Sequence, residues 1–172
     1  MAFKNASTYS FAQVTAILQY GPDEQNDIIK LTEGGVGEGG ISIESSMDIN
    51  NMKVGADGSV QHSLRLATPA LLKVEVLRNN TLNLALATQF SITTSGQSTH
   101  GLMKLSIVDS VSKEETHCAG IAFKKLPSNF YKMDAEPIVW EFDVGNVTYV
   151  AGSQTDEEIN KGGGGKTPPA KA

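Results

Sequence analysis

The chain has a single cysteine, Cys118, and no Phe, Tyr or Trp between Tyr20 and Phe90. One cysteine excludes an internal disulfide framework. Without aromatics, residues 21–89 lack the bulky anchors of an ordinary core, so a surface other than their own must stabilise them. No apolar run approaches the roughly 20 residues of a membrane-spanning helix, and no membrane insertion by this chain is expected. A charged-then-apolar N-terminal signal is also missing, which points to synthesis and retention in a reducing cytoplasm. The sequon-like triplets at Asn5, Asn79 and Asn146 then carry no weight. Clustered basic residues are scarce too, Lys124-Lys125 being the one basic pair in the folded region, which argues against a dedicated nucleic-acid binder.

The 172 residues suffice for one domain with a proper core. Asp156, Glu157 and Glu158 balance Lys161, Lys166 and Lys171, so the formal net charge of −5 falls entirely on residues 1–150. From Gly152 onward the chain turns polar and then Gly- and Pro-rich, giving an expected division into one domain over 1–151 and a flexible tail over 152–172.

Periodicity is two rather than 3.6. In ISIESSMDIN, Ile41, Ile43, Met47 and Ile49 alternate with Ser42, Glu44, Ser46 and Asp48, which predicts a long half-buried strand. The phase slips near Asn50-Asn51, where Met52 and Val54 fall on even numbers, and a bulge or bend is expected there. Asp57-Gly58 then predicts a tight hairpin turn, in which both central residues need positive φ, leading to Val60, Leu64 and Leu66 alternating with Gln61, Ser63 and Arg65. Similar alternation runs through 72–76, 103–107 and 138–144, with further candidates over 117–123 and 9–18. A mostly-β protein results. One helix is expected over about 80–90, capped by Asn79 or Asn80, with Leu82, Ala85, Leu86 and Phe90 on one side.

The chemical-looking motifs fail their context. GGGGKT in the tail has Asn160 where the first Gly of a phosphate loop belongs and two prolines in place of a helix. Gly35 to Gly40 matches GxGxxG, but an alternating strand follows where a helix is required, so a mobile loop of Gly34, Gly35, Gly37, Gly39 and Gly40 is the reading. GQSTH resembles a nucleophile elbow whose last Gly is replaced by His100. His117 and Cys118 are strand neighbours and point to opposite faces, so they cannot pair. His62, His100 and His117 have no metal-ligand spacing. Glu44 and Asp48 lie about 13 Å apart along a strand, beyond the separation of a glycosidic carboxylate pair. No catalytic residue, cofactor or metal is expected.

In order along the chain, YSFAQVTAIL, VGADGSVQHS, CAGIAFKKLP and WEFDVG resemble a family of phage structural proteins similar to the tail tube proteins of contractile-tailed phages. The resemblance runs from about Phe3 to Val147, while PDEQNDIIK and the tail match nothing in it. It implies a β-sandwich or partly open β-barrel with one flanking helix, assembled with itself as hexameric rings that stack into a hollow tube. It further implies a virion component assembled in the host cytoplasm, contacting tail sheath, tape-measure and baseplate proteins, with double-stranded DNA passing through. Tube proteins of type VI secretion and pyocin-like systems share that architecture. A virion-surface carbohydrate- or receptor-binding β-sandwich is the reading from another class, disfavoured because the loops carry few aromatics apart from Phe130-Tyr131.

The residues allow such a channel. Glu33, Glu38, Glu44, Asp48 and Asp57 face one cation, Lys53, between positions 33 and 61. An acidic wall would repel phosphates and let DNA slide. The expected lumen-facing set is Ser42, Glu44, Ser46, Asp48, Gln61 and Ser63, and the glycine-rich loop is the expected contact between stacked rings.

Overall fold

The computed structural model describes residues 9–23, 27–129 and 131–152. Asn5, residues 24–26, Phe130 and the tail from 153, with its GGGGKT run, lie outside the described residues.

Strand β6 (Ala70–Val76) shows how sequence becomes sheet: Ala70, Leu72, Val74 and Val76 are buried, while Leu71, Lys73 and Glu75 point the other way. Its neighbour β9 (Ile138–Val150) matches it residue for residue, with Leu72 opposite Phe142 and Val74 opposite Trp140. On the other side β3 (Val36–Ser45) places Ile41 opposite Val74 and Ile43 opposite Leu72. The strands β1 (Val14–Gln19), β2 (Ile28–Lys30), β7 (Met103–Asp109) and β8 (Glu115–Lys125) complete a seven-stranded antiparallel sheet in the order β2-β1-β7-β8-β9-β6-β3. The sheet curls into a half-barrel. Two further strands, β4 (Asn50–Val54) and β5 (Val60–Leu64), form a separate two-stranded arm.

Helix α1 (Thr81–Thr94) covers the apolar face of the sheet. Asn80 caps it, its side-chain oxygen accepting from the Leu82 N–H at 2.8 Å. Leu82 and Leu86 enter the core, and Phe90 meets Phe123 edge-to-face with ring centroids 5.4 Å apart. Phe123 also packs on Trp140 and Phe142, so the aromatic core is built from the C-terminal half plus one helical residue. Each such buried ring contributes about 1.5–3 kcal/mol. The Trp140 indole N–H donates to Asn83 Oδ1 at 3.0 Å, and the Asn83 amide donates onward to the carbonyls of Leu77 and Arg78. Helix, sheet and the connection between them are thereby joined at one side chain.

Several expectations require correction. The segment over 9–18 is not all strand: Phe11–Gln13 is a 3-10 turn and pairing starts at Val14. The long strand through Ile49 stops at Ser45, and Met47 and Ile49 are left about half exposed: the Ser46 N–H still bonds the Pro69 carbonyl, but the proline has no N–H with which to carry the ladder further. The helix continues past 90, with Gln89 and Thr93 on its buried side; the Thr93 hydroxyl is satisfied by the Gln89 carbonyl. The hairpin turn is wider than two residues. Gly55 N–H bonds to Ser59 O and Gly58 N–H to Gly55 O, Gly58 has φ 83°, and Asp57 does not have positive φ.

Candidate functional site

Two surfaces stand out. The first is the sheet face turned away from α1. From β3, Ser42 lies opposite Lys73 and Glu44 opposite Leu71. The Lys73 ammonium reaches both Glu44 carboxylate oxygens at 3.1 Å, and Lys73 stands opposite Glu141 in the register with β9. Lys125 bonds Glu141 at 3.1 Å and Lys124 approaches Asp143 at 3.7 Å. These pairs are largely exposed and add little stability each. Their consequence is electrostatic: on this face Glu44, Glu141 and Asp143 each have a lysine beside them, while Glu75 accepts from the Gly39 N–H instead. Sequence reading missed Lys73, Lys124, Lys125, Glu141 and Asp143 because they lie far in sequence from 33–61; the opposite-sign residues on adjacent strands carry the signal only once the register is known.

Farther along the same face, His117 Nδ1 lies 3.3 Å from Ser106 Oγ and His117 Nε2 lies 3.1 Å from Glu115. The row borders a groove that Gln19, Lys104, Asn146 and Thr148 also line. Glu115 and His117 are nearly half exposed, so the row sits in water rather than in the dry pocket that nucleophilic catalysis needs. Cys118 points the other way, into the core, where burial pushes its thiol up to about 11. Between Cys118 and Ile121, both buried, Gly120 adopts φ 67° and resets the alternation. Among the described residues no group of three or more His, Cys, Asp or Glu is arranged to hold a metal ion, and no helix is long and apolar enough to cross a membrane.

The second surface is the arm. Met52 faces His62, Val54 faces Val60 and Asn50 faces Leu64, so Met52, Val54, Val60 and Leu64, each more than half exposed, share one side of the ribbon with Asn50 and His62, which lie 3.1 Å apart. Asn51, Lys53, Gln61 and Ser63 share the other side. At the tip, Asp57 Oδ1 accepts from the Ser59 N–H at 3.0 Å and the Ser59 hydroxyl at 2.7 Å, which lowers its carboxyl pKa. A two-stranded ribbon with an uncovered apolar side is marginal alone.

The expected lumen set is therefore distributed. Ser42 and Glu44 lie on the sheet's polar face, Ser46 and Asp48 in the connection between β3 and β4, and Gln61 and Ser63 on the polar side of the arm. Of the five glycines expected in a loop, Gly34 and Gly35 precede β3 at φ near 90°, and Gly37, Gly39 and Gly40 lie inside it. Between the pairs Val36–Val76 and Ile41–Val74, four residues of β3 oppose the single residue Glu75, a large bulge. The Glu75 carboxylate fills the space that side chains at 37 and 39 would occupy and accepts from the Gly39 N–H at 3.1 Å.

Solved structures similar to this chain include the tube-terminating cap of the anti-feeding prophage, with 12% identity and a TM-score of 0.46 over 88% of this chain and 99% of that one. Another is the extended-state sheath-tube complex of the extracellular contractile injection system PVC, at 11% identity and TM-score 0.45, covering 79% and 88% of the two chains. The sheath/tube terminator of the same system gives 12% and 0.45, covering 87% and 100%. A comparison with curated proteins finds no match. Residues 6–152 match the bacteriophage PhiTE tail tube protein family; the chain belongs to that family, and is a structural component of a phage tail rather than an enzyme.

Proposed function

We propose that this chain builds the inner tube of a contractile phage tail by assembling into stacked hexameric rings, through which the tape-measure protein and then double-stranded DNA pass. The observation that carries the reading is the arm: a ribbon whose Met52, Val54, Val60 and Leu64 are uncovered in a lone subunit is suited to burial against a neighbour. Among the described residues β2 and β3 are the two outer strands of the sheet, and closing them against adjacent subunits would remove an aggregation hazard. Membership in a phage tail tube family favours a virion over a secretion or pyocin-like particle.

In this reading Ser42, Glu44, Ser46, Asp48, Gln61 and Ser63 line the lumen, Asp57 and Gly58 make the turn of the inserted hairpin, and Gly34 to Gly40 meet the next ring. Pairing of Glu44 with Lys73 reduces the charge that this wall presents to DNA phosphates, which favours sliding over holding. Sheath, tape-measure and baseplate proteins are the partners, and synthesis in the host cytoplasm precedes assembly. Electron microscopy of the purified full chain tests this. Rings or tubes of uniform diameter are expected on raising concentration or adding tail assembly partners; amorphous particles under all conditions would overturn it.

A further inference from the structure

At the end of the sheet where β1 and β8 begin and β7 and β9 end, the core opens into a groove walled by Tyr9, Phe11 and Tyr149 over Val14, Ile41 and Ile107. The two isoleucines pack on the core, whereas Tyr9 is 72% exposed and Tyr149 60%, so large ring faces are left to water. Asp109 and Glu114 rim the groove, and one lysine, Lys113, lies on the turn between them. A hydrogen bond to Glu114 raises the Tyr149 phenol above its ordinary value, while the Asp109 carboxylate accepts from the Val111 N–H at 2.8 Å, which lowers its pKa from the ordinary 3.8 and keeps it charged near neutrality. Rings beside carboxylates suit a proline-containing segment flanked by cations. Prolines already held in the polyproline II conformation lose little entropy on lying against rings, and ammonium groups are attracted by both the ring faces and the carboxylates.

The same chain carries such a segment, and it leaves the fold at this end. Gly152 lies against the turn after β7, where a side chain would meet the Ser112 carbonyl and Lys113. From residue 161 onward the chain holds Lys161, Lys166 and Lys171 with no acidic residue, and Pro168-Pro169 lie between the last two lysines. The match to the tail tube family ends at residue 152, so this segment lies outside it. Tyr149 is about 10 Å along the strand from Gly152, and residues 153–165 can span about 45 Å at most, so the segment reaches the groove of its own chain with length to spare. Tethering also gives it a high effective concentration, which lets a short, weak contact form. Residues 1–8 adjoin the groove too, but with one lysine and no proline they fit it less well. We propose that Lys166–Lys171 seats in the Tyr9, Phe11 and Tyr149 groove of its own chain, with the prolines on the rings and the lysines towards Asp109 and Glu114. Such a contact is independent of the tube reading.

Disulfide trapping in the full chain tests it. The native Cys118 is 2% exposed and stays silent. Ala170→Cys is paired in turn with Thr116→Cys, which lines the groove, and with His117→Cys, its more exposed neighbour on the opposite face of β8. Val14→Cys and Thr15→Cys repeat the comparison on β1, and circular dichroism verifies that each variant folds. A tail that touched nothing would meet the more exposed cysteine of each pair first. A seated tail should instead close the disulfide to positions 116 and 14 about tenfold or more faster than to 117 and 15, as an intramolecular product whose rate does not depend on protein concentration. Lys166→Glu with Lys171→Glu, and separately Pro168→Ser with Pro169→Ser, should each remove most of that preference, and added salt should weaken it. Equal rates at the two faces, or products that form only between chains, would overturn the seating. So would a preference untouched by both sets of substitutions, or one that arises with Phe3→Cys in place of Ala170→Cys while the tail shows none.

Discussion

The Glu75 carboxylate lies across the glycine-rich bulge of β3 and accepts a hydrogen bond from the Gly39 N–H. A methyl group at Gly39 or Gly37 would meet a Glu75 carboxylate oxygen. Gly39→Ala should therefore displace that side chain and cost about 1 kcal/mol or less, the worth of one partly exposed hydrogen bond. In a Glu75→Ala background the penalty should largely vanish. Denaturant unfolding of the four proteins of this cycle measures the coupling, and a full penalty in both backgrounds would mean that Glu75 does not shape the bulge.

Trp140 is 2% exposed and its indole N–H is bound to Asn83. Trp140→Phe keeps much of the ring burial but leaves the Asn83 oxygen without that donor. A loss of about 1–3 kcal/mol is expected, and Asn83→Ala in the same background should cost about 1 kcal/mol or more again, because its bonds to the Leu77 and Arg78 carbonyls are lost as well. Thermal unfolding followed by circular dichroism reads both, since the sole tryptophan is gone.

Burial raises the Cys118 thiol from the ordinary 9.0 to about 11. The folded chain thus holds this proton where the unfolded chain has released it, so the stability contribution is complete below pH 9 and is lost as pH rises towards 11. Cys118→Ala should lie below the native chain at pH 8, from the small cavity, and should show a shallower alkaline decline. Equal declines in the two proteins would contradict the assignment.

Asp57 behaves in the opposite sense. Hydrogen bonds from the Ser59 hydroxyl and N–H hold its carboxyl below the ordinary 3.8, so they favour the native turn above that pH and are lost as pH falls through the lowered value. Carboxyl-carbon NMR should find its midpoint below 3.8, and Ser59→Ala should move it upward. An unshifted midpoint in Ser59→Ala would remove the hydroxyl from the account.

Where a strand has unlike faces, the sequence was readable. Leu72, Val74 and Val76 against Lys73 and Glu75 fix both the strand and its buried side, and Trp140, Phe142 and Val144 do the same for β9. Alternation failed at Met47 and Ile49, whose apolar character belongs to exposed chain beyond the point where Pro69, with no N–H, stops returning ladder hydrogen bonds. The helix runs past the apolar pattern that marks it, because Gln89 and Thr93 are polar yet buried. Pairing across long sequence distance left no local mark, so Glu44 read as an unopposed carboxylate until Lys73 was placed beside it. The three-residue β2 lay in a segment that matched no pattern. The missing aromatics of residues 21–89 misled for much of that segment: Leu72 and Val74 pair with Phe142 and Trp140, and Ile29, Leu31, Val76, Leu82 and Leu86 join the same core, because aliphatic side chains pack against aromatics supplied from elsewhere in the chain, while the arm lies outside it.

A side-chain-resolved electron cryomicroscopy map of tubes assembled from the purified chain tests the central claim most directly. The account predicts stacked rings with the arms buried between subunits, and Ser42 and Glu44 facing the lumen with Lys73 beside Glu44. Tubes in which Glu44 points outward, or arms that remain solvent-exposed in the assembled state, would contradict it.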